Sequence, residues 1–223
     1  MSADTVRPGL RRALVAGGAA VLVIALLLVV FVTPAFAARE VKISGTQILT
    51  TEEVEQVAAV PMGRPLARVS EGDVAERVAT LAPVDEVRVT RSLPSTVTIH
   101  VTERVARLVL ERDGAQVLVD GEGFAFAEVA EAPQGLLRVD APADPDTLQG
   151  LGRVALARPA GFLVDSASAH SPDSIVLHLP GERQVIMGSG DQARMKFTVA
   201  EALLNSTEAQ YIDVSAPDNP STR

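Results

Sequence analysis

The residues best placed to do chemistry lie near the C-terminus. Val185-Ile186-Met187-Gly188-Ser189-Gly190-Asp191-Gln192-Ala193 runs from an apolar strand pattern into G-x-G-x-x-A and a helix, with Asp213 on a following strand. That is the layout of a dinucleotide turn, in which glycines admit a pyrophosphate, a helix N-terminus faces it and a distal carboxylate takes a ribose hydroxyl. The context does not support it. Only ten residues follow Asp213, too few for the further βαβ units of a doubly wound sheet, and Asp191 puts a carboxylate where the pyrophosphate belongs. The pattern reads as a tight turn that needs glycine dihedrals. His170, Ser171 and Asp173 carry the residue types of a hydrolase triad, but no strained nucleophile turn accompanies them, and they read as a polar loop. His100 and His178 sit on alternating stretches with polar neighbours and no third ligand, so they read as surface residues rather than a metal site. Arg88, Arg91, Arg104 and Arg107 are offset by Asp85, Glu86 and Glu103, the pattern of a mixed-charge face. Lys196, on the flank of its helix, reads as a snorkelling side chain.

Composition narrows the chemistry further. The chain has no Cys, no Trp, three His and 3% aromatic residues, which removes thiol catalysis, thiolate metal sites and aromatic stacking platforms. A net charge of -8 repels nucleic-acid backbones. No catalytic, cofactor-binding or metal-ligating residue is assigned, and no cofactor or small-molecule substrate is expected. At 223 residues and 47% apolar composition, one medium domain or two small ones can build a core.

Residues 13–38 carry no charge, and a helix needs about 20 apolar residues to cross about 30 Å of hydrocarbon. Arg7, Arg11 and Arg12 precede the stretch, opposed only by Asp4, so a cytoplasmic segment 1–12, a transmembrane helix 13–38 and an extracytoplasmic remainder are expected. A cleaved signal peptide competes, because Ala35-Phe36-Ala37 offers small residues where a signal peptidase reads them; the length of the apolar run favours the anchor. Beyond it, Val41 to Ser44 alternates as a strand. Thr50 with Glu53 and Ser70 with Asp73 announce two short helices, carrying Val54, Val57 and Ala58, then Val74, Val78 and Leu81, on their apolar faces. Val87 and Val89, then Val97, Ile99 and Val101, alternate as a hairpin with one buried face. The order is β-α-α-β-β over 39–106. From 107 to 215 strands dominate, with turns at Asp113-Gly114, Asp120-Gly121-Glu122-Gly123 and Pro180-Gly181. Phe162 to Val164 reads as one strand, Asp144-Pro145 opens a weak helix interrupted by Gly150 and Gly152, and a better helix runs from Asp191 to Leu204. Tyr211 to Val214 is the final strand. The tail 216–223 has too little apolar content to fold and is expected to be disordered. The fold class is α+β: one transmembrane helix, a β-α-α-β-β module, then a mostly antiparallel β-domain with a C-terminal helix.

This layout resembles the bacterial division protein family FtsQ/DivIB, whose exported part is a polypeptide-transport-associated (POTRA) module followed by a β-domain. Val41-Lys42-Ile43-Ser44-Gly45, Val87 to Pro94 before Val97 to Arg104, Val119-Asp120-Gly121-Glu122-Gly123, Met187-Gly188 with Lys196, and Ile212-Asp213-Val214 are similar in kind and order. The departures are Leu93 where an aromatic commonly precedes the proline, and a shortened Ala132-Pro133-Gln134-Gly135. The resemblance implies a non-enzymatic, single-pass scaffold in the cell membrane at the division septum, binding the FtsB/DivIC and FtsL partners and linking them to septal wall synthesis. An exported, signal-cleaved hydrolase and another POTRA-containing secretion or assembly factor are the competing functions; the latter lacks residues for a β-barrel. The partner-binding site is expected at the last strand, by addition of a partner strand beside Tyr211, Ile212, Asp213, Val214 and Ser215, if that edge is free rather than capped.

Overall fold

The computed structural model describes residues 16–23, 36–112 and 114–223. They belong to two compact units, the first ending at Glu103 and the second running from Arg104 to Arg223. Residues 16–23 are helical and exposed. Among the described residues no helix is long and apolar enough to cross a membrane, and most of the stretch expected to do so, 13–38, lies outside them. Its last residues belong to the folded unit. Ala37 and Ala38 are buried; the Ala38 amide donates to the Arg64 carbonyl at 2.9 Å, and the Ala38 carbonyl accepts from the Gly63 amide at 2.9 Å.

The first unit has the order β1 (Glu40–Ser44), α1 (Thr51–Ala58), α2 (Glu71–Val78), β2 (Val84–Ser92) and β3 (Thr96–Glu103). The start of α1 follows from two side chains: the Thr50 hydroxyl accepts from the Glu53 amide at 3.2 Å, and the Glu53 carboxylate accepts from the Thr50 amide at 2.8 Å. Ser70 caps α2 by accepting from the Asp73 amide at 3.2 Å. β3 is the central strand, parallel to β1 and antiparallel to β2. Its alternation sends Val97, Ile99 and Val101 onto Val54, Ala58, Val74 and Val78 of the helices. Ile99, expected in the core, is fully buried there, which is worth about 1.5–3 kcal/mol. At the end of β3 the Glu103 carboxylate accepts from the amides of Gln47, Ile48 and Leu49, at 2.9 to 3.2 Å, and so holds the loop that leads into α1.

The second unit contains β4 (Ala106–Arg112), β5 (Ala115–Asp120), β6 (Ala125–Val129), β7 (Leu137–Asp140), α3 (Pro145–Ala157), β8 (Ser166–Ser168), β9 (Ile175–Leu179), β10 (Arg183–Gly188), α4 (Ala193–Ser206), β11 (Tyr211–Asp213) and β12 (Ser221–Thr222). They form one nine-stranded sheet in the order β12-β11-β10-β9-β8-β7-β4-β5-β6. Antiparallel pairings outnumber parallel ones, yet β4–β7, β7–β8 and β10–β11 are parallel. Helices explain two of these: α3 carries the chain from β7 to β8 and α4 from β10 to β11, each a β-α-β crossover. Leu148, Leu151 and Val154 of α3 and Phe197 and Ala200 of α4 join the sheet's Leu108, Leu137, Leu177 and Met187 in one core.

Three local expectations are corrected. Phe162 to Val164 is a loop, not a strand; Gly161 at φ +95° precedes it, and Phe162 reaches the core to meet Phe197 edge-on, with ring centroids 4.9 Å apart. The helix opened by Asp144 is continuous through Gly150 and Gly152, its first turn capped where Asp144 accepts from the Thr147 amide at 3.1 Å. The tail 216–223, expected to be disordered, turns at Ala216 to Asn219 with Pro217 buried, and returns along β11 as β12.

Candidate partner-binding edge

Parallel pairing with β10 decides which backbone groups of β11 face inward. The Val214 amide donates to the Ile186 carbonyl at 3.0 Å and the Gln210 carbonyl accepts from the Gln184 amide at 2.7 Å, so the even-numbered residues bond to β10. Tyr211 and Asp213 therefore turn their backbone groups outward. That side is not free. The Tyr211 amide donates to the Arg223 carbonyl at 3.1 Å, and the Arg223 amide donates to the Tyr211 carbonyl at 2.9 Å. Ser221 lies opposite Asp213, the next bonded pair of an antiparallel ladder. The edge expected beside Tyr211 to Ser215 is thus capped by the chain itself, because tail residues satisfy outward amides by backbone pairing alone. The new outermost strand is β12. Alternation turns the Thr222 amide and carbonyl away from β11, while Pro220 has no amide to offer. Ile212 and Val214 are buried, Asp213 is half-buried, and Tyr211 and Ser215 are exposed.

Three side chains hold this edge in place. The Asp213 carboxylate accepts from the Ser215 amide at 2.9 Å and hydroxyl at 2.7 Å, which bends the chain away at the end of β11. Arg183 donates to the carbonyls of Thr207 at 2.9 Å and Ala209 at 3.1 Å, fixing the connection from α4 to β11. Lys196 does not snorkel. It is 2% exposed, and its ammonium donates to the Met187 carbonyl at 2.8 Å and the Ser189 carbonyl at 2.9 Å. Burial lowers its pKa from the usual lysine value, against the opposing pull of Asp191, Asp173 and Asp213.

The same contacts explain the G-x-G-x-x-A pattern. A phosphate turn points amides at an anion; this one points carbonyls of Met187 and Ser189 at a buried cation. Asp191 is taken by Arg153 at 2.8 Å. Gly188 holds φ +65°, with Ser215 so close that a Cβ would come within 2.8 Å of its side chain. At Gly190 a Cβ would run into the backbone of Gly150 on α3. A matching contact lies further along α3, where a Cβ on Gly152 would approach the Gly121 carbonyl oxygen to 2.5 Å. Gly150 with Gly190, and Gly152 with Gly121, are close-approach points between α3 and two turns, whereas Gly188 makes room for Ser215. Of those turns, the one after β5 is built on Asp120, which accepts from the Glu122 and Phe124 amides at 2.9 Å and pairs with Arg104 at 2.8 Å. The Arg104 guanidinium also lies 4.4 Å from the centre of the Phe124 ring.

The remaining candidates are ordinary structural groups. The Ser174 hydroxyl accepts from the His170 and Ser171 amides at 2.9 and 2.8 Å, so that loop is a serine-tied turn. His100 bonds the Ser44 hydroxyl at 2.7 Å and His178 the Ser168 hydroxyl at 2.8 Å, each across neighbouring strands. Arg91 pairs with Glu71 at 2.9 Å. Among the described residues no three His, Cys, Asp or Glu side chains converge to hold a metal.

A family model described as "POTRA domain, FtsQ-type" matches residues 36–104, the first unit. The chain is 39% identical over 191 residues to a cell division protein FtsQ of Streptomyces griseus, covering 79% of this chain and 92% of that protein. It is 36% identical to one of Streptomyces venezuelae, covering 96% and 84%, and 38% identical to one of Mycolicibacterium smegmatis, covering 99% and 67%. On the element order, the FtsQ-type domain and likeness along most of its length, this chain belongs to the FtsQ family of cell division proteins.

Proposed function

We propose that the chain is a non-enzymatic, single-pass scaffold of the division machinery in the cell membrane at the septum. Its N-terminus is cytoplasmic, residues 13–38 supply the span, and both folded units lie outside the cytoplasm. Its partners are division proteins of the FtsB/DivIC and FtsL kind, which it links to septal wall synthesis. Family membership supports the division role. The observation that carries the binding mode is the terminal edge: a nine-stranded sheet ending on a two-residue strand whose outer side has no partner among the described residues. A partner segment adds there as a tenth strand, its first contact the Thr222 amide, with the exposed Tyr211 side chain alongside. Tyr211 to Ser215 act through β12 by setting its position.

Pull-down of the partner's exported segment by variants with unchanged unfolding midpoints tests this. Thr222→Pro removes the outward amide and is expected to abolish capture. Asp213→Pro removes the bond that seats β12 and is expected to weaken it, whereas Asp213→Asn keeps the Ser215 contact and is expected to bind normally. Undiminished capture by both proline variants would refute strand addition and leave the scaffold role standing.

A further inference from the structure

The chain enters the first unit through a tightly held stretch. Ala37 bridges Pro65, Ala38 bonds to Gly63 and Arg64, and the Arg39 and Glu40 amides donate to the Ser95 carbonyl at 2.9 and 3.3 Å. Arg91 ties in the neighbouring turn Leu66–Arg68, donating to the Ala67 and Val69 carbonyls at 3.3 and 3.2 Å. The entry, the loop that follows α1 and the β2–β3 turn thus form one end of the unit, where β1 and β3 begin and β2 finishes. A span that starts at residue 13 and takes about 20 residues ends near residue 32. Only residues 33–36 then precede the buried Ala37, and fully extended they reach about 14 Å. On the single-pass reading proposed above, this end of the unit therefore lies next to the bilayer.

Its surface suits that position. Leu93, on the β2–β3 turn, is 71% exposed, and Met62, in the loop beside the entry, is 49% exposed. Residues 39–103 hold ten carboxylates against seven Lys and Arg, yet five of those seven gather here: Arg39, Lys42, Arg64, Arg68 and Arg91. The carboxylates at this end are Glu40, Glu71 and, in the first turn of α2, Asp73. Glu40 lies 3.6 Å from Lys42, and Glu71 is taken by Arg91 at 2.9 Å. Arg64 and Arg68 are exposed and make no ion pair among the described residues. Apolar side chains flanked by arginines at a membrane exit are the composition of an interfacial contact, the one part entering the headgroup boundary and the other pairing with lipid phosphates. We propose that this end of the first unit seats on the outer surface of the membrane, with Leu93 and Met62 in the headgroup boundary and Arg64 and Arg68 on anionic headgroups.

The test uses the full chain in liposomes of phosphatidylcholine alone or mixed equally with phosphatidylglycerol. The chain has no cysteine, so a single one can carry an environment-sensitive dye: Ser92→Cys at this end, and Gln47→Cys beside Glu103 at the other, about 23 Å away along β3. With lipids spin-labelled at the headgroup, the Ser92→Cys dye is expected to be quenched several-fold more than the Gln47→Cys dye, and more strongly when phosphatidylglycerol is present. Arg64→Glu combined with Arg68→Glu, and separately Leu93→Ser, are each expected to lower that quenching several-fold while the chain stays in the bilayer. Equal quenching at the two positions, or wild-type quenching in either variant, would overturn the contact and leave proximity through the span alone. Release of the chain by alkaline extraction would refute the span and this surface with it, whereas retention with an unquenched Ser92→Cys dye would refute this surface only.

Discussion

Gly150 and Gly152 lie two residues apart on α3, and alanine at the two positions should have opposite consequences. In a helix interior alanine is favoured over glycine by roughly 1 kcal/mol, and both variants gain that. At Gly150 the new Cβ would sit 3.2 Å from the end of the Ile175 side chain and 3.5 Å from the nearest backbone oxygen, a squeeze that a methyl can relieve by a few tenths of an ångström. At Gly152 it would sit 2.5 Å from the Gly121 carbonyl oxygen and 2.9 Å from its carbon, against an ordinary contact of 3.4 Å or more. Backbone in a turn held by Asp120 cannot step aside without moving the helix, and overpacking of this kind costs about 1–3 kcal/mol or somewhat more. Gly150→Ala should therefore stay within about 1 kcal/mol of wild type, and Gly152→Ala should fall about 2 kcal/mol below Gly150→Ala. Tyr211 is the only tyrosine and there is no tryptophan, so tyrosine emission during denaturant unfolding reports the second unit alone. Equal stability of the two variants would show that α3 does not depend on glycine contact with the turn after β5.

In the first unit Ile99→Ala should cost about 2–5 kcal/mol, read by circular dichroism during urea unfolding; a loss below about 0.5 kcal/mol would mean that the side chain is not in the core. Hydrogen bonds from the Thr50 amide, and then from its hydroxyl, hold the Glu53 pKa below 4.5. The stability this lends is complete above 4.5 and is lost as pH falls through the lower folded value, so Glu53→Gln should flatten the acid side of the unfolding profile; an unchanged slope would disprove the linkage. Cell fractionation should retain full-length chain in the membrane fraction, and a soluble form shortened by about 37 residues would instead support cleavage after Ala37.

What could be read from the sequence was local. Thr50 and Glu53 stand three residues apart, and Val97, Ile99 and Val101 alternate within one strand, so the partners that define each element are in the same short window. Gly150 and Gly152 looked like defects because propensity counts only the helix they interrupt; their counterparts, Gly190 and Gly121, are far away in the chain. Lys196 was read as a surface group since its acceptors are backbone carbonyls, which no residue type advertises. The capped edge, open in the sequence only as the alternative to a free one, is hidden for the same reason. Backbone pairing of Ser221 and Thr222 with β11 needs almost no apolar side chains, so the composition of the tail carries no trace of it. The strand beginning at Tyr211 is legible as an element but not as an inner one, and the proposed binding edge lies one strand further out.

The strand order of the second unit sets how it can be made. After the β4-β5-β6 meander, β7 lies on β4, β8 on β7, β9 on β8, β10 on β9, β11 on β10 and β12 on β11. No strand has to enter between two that are already paired. A chain emerging N-terminus first can thus assemble the sheet one strand at a time, in the order in which the strands appear, and each addition closes only a modest loop. The proposed docking edge is by construction the final product of that growth. A molecule clipped ahead of β12 would carry a folded first unit and much of the sheet, yet lack the proposed docking edge.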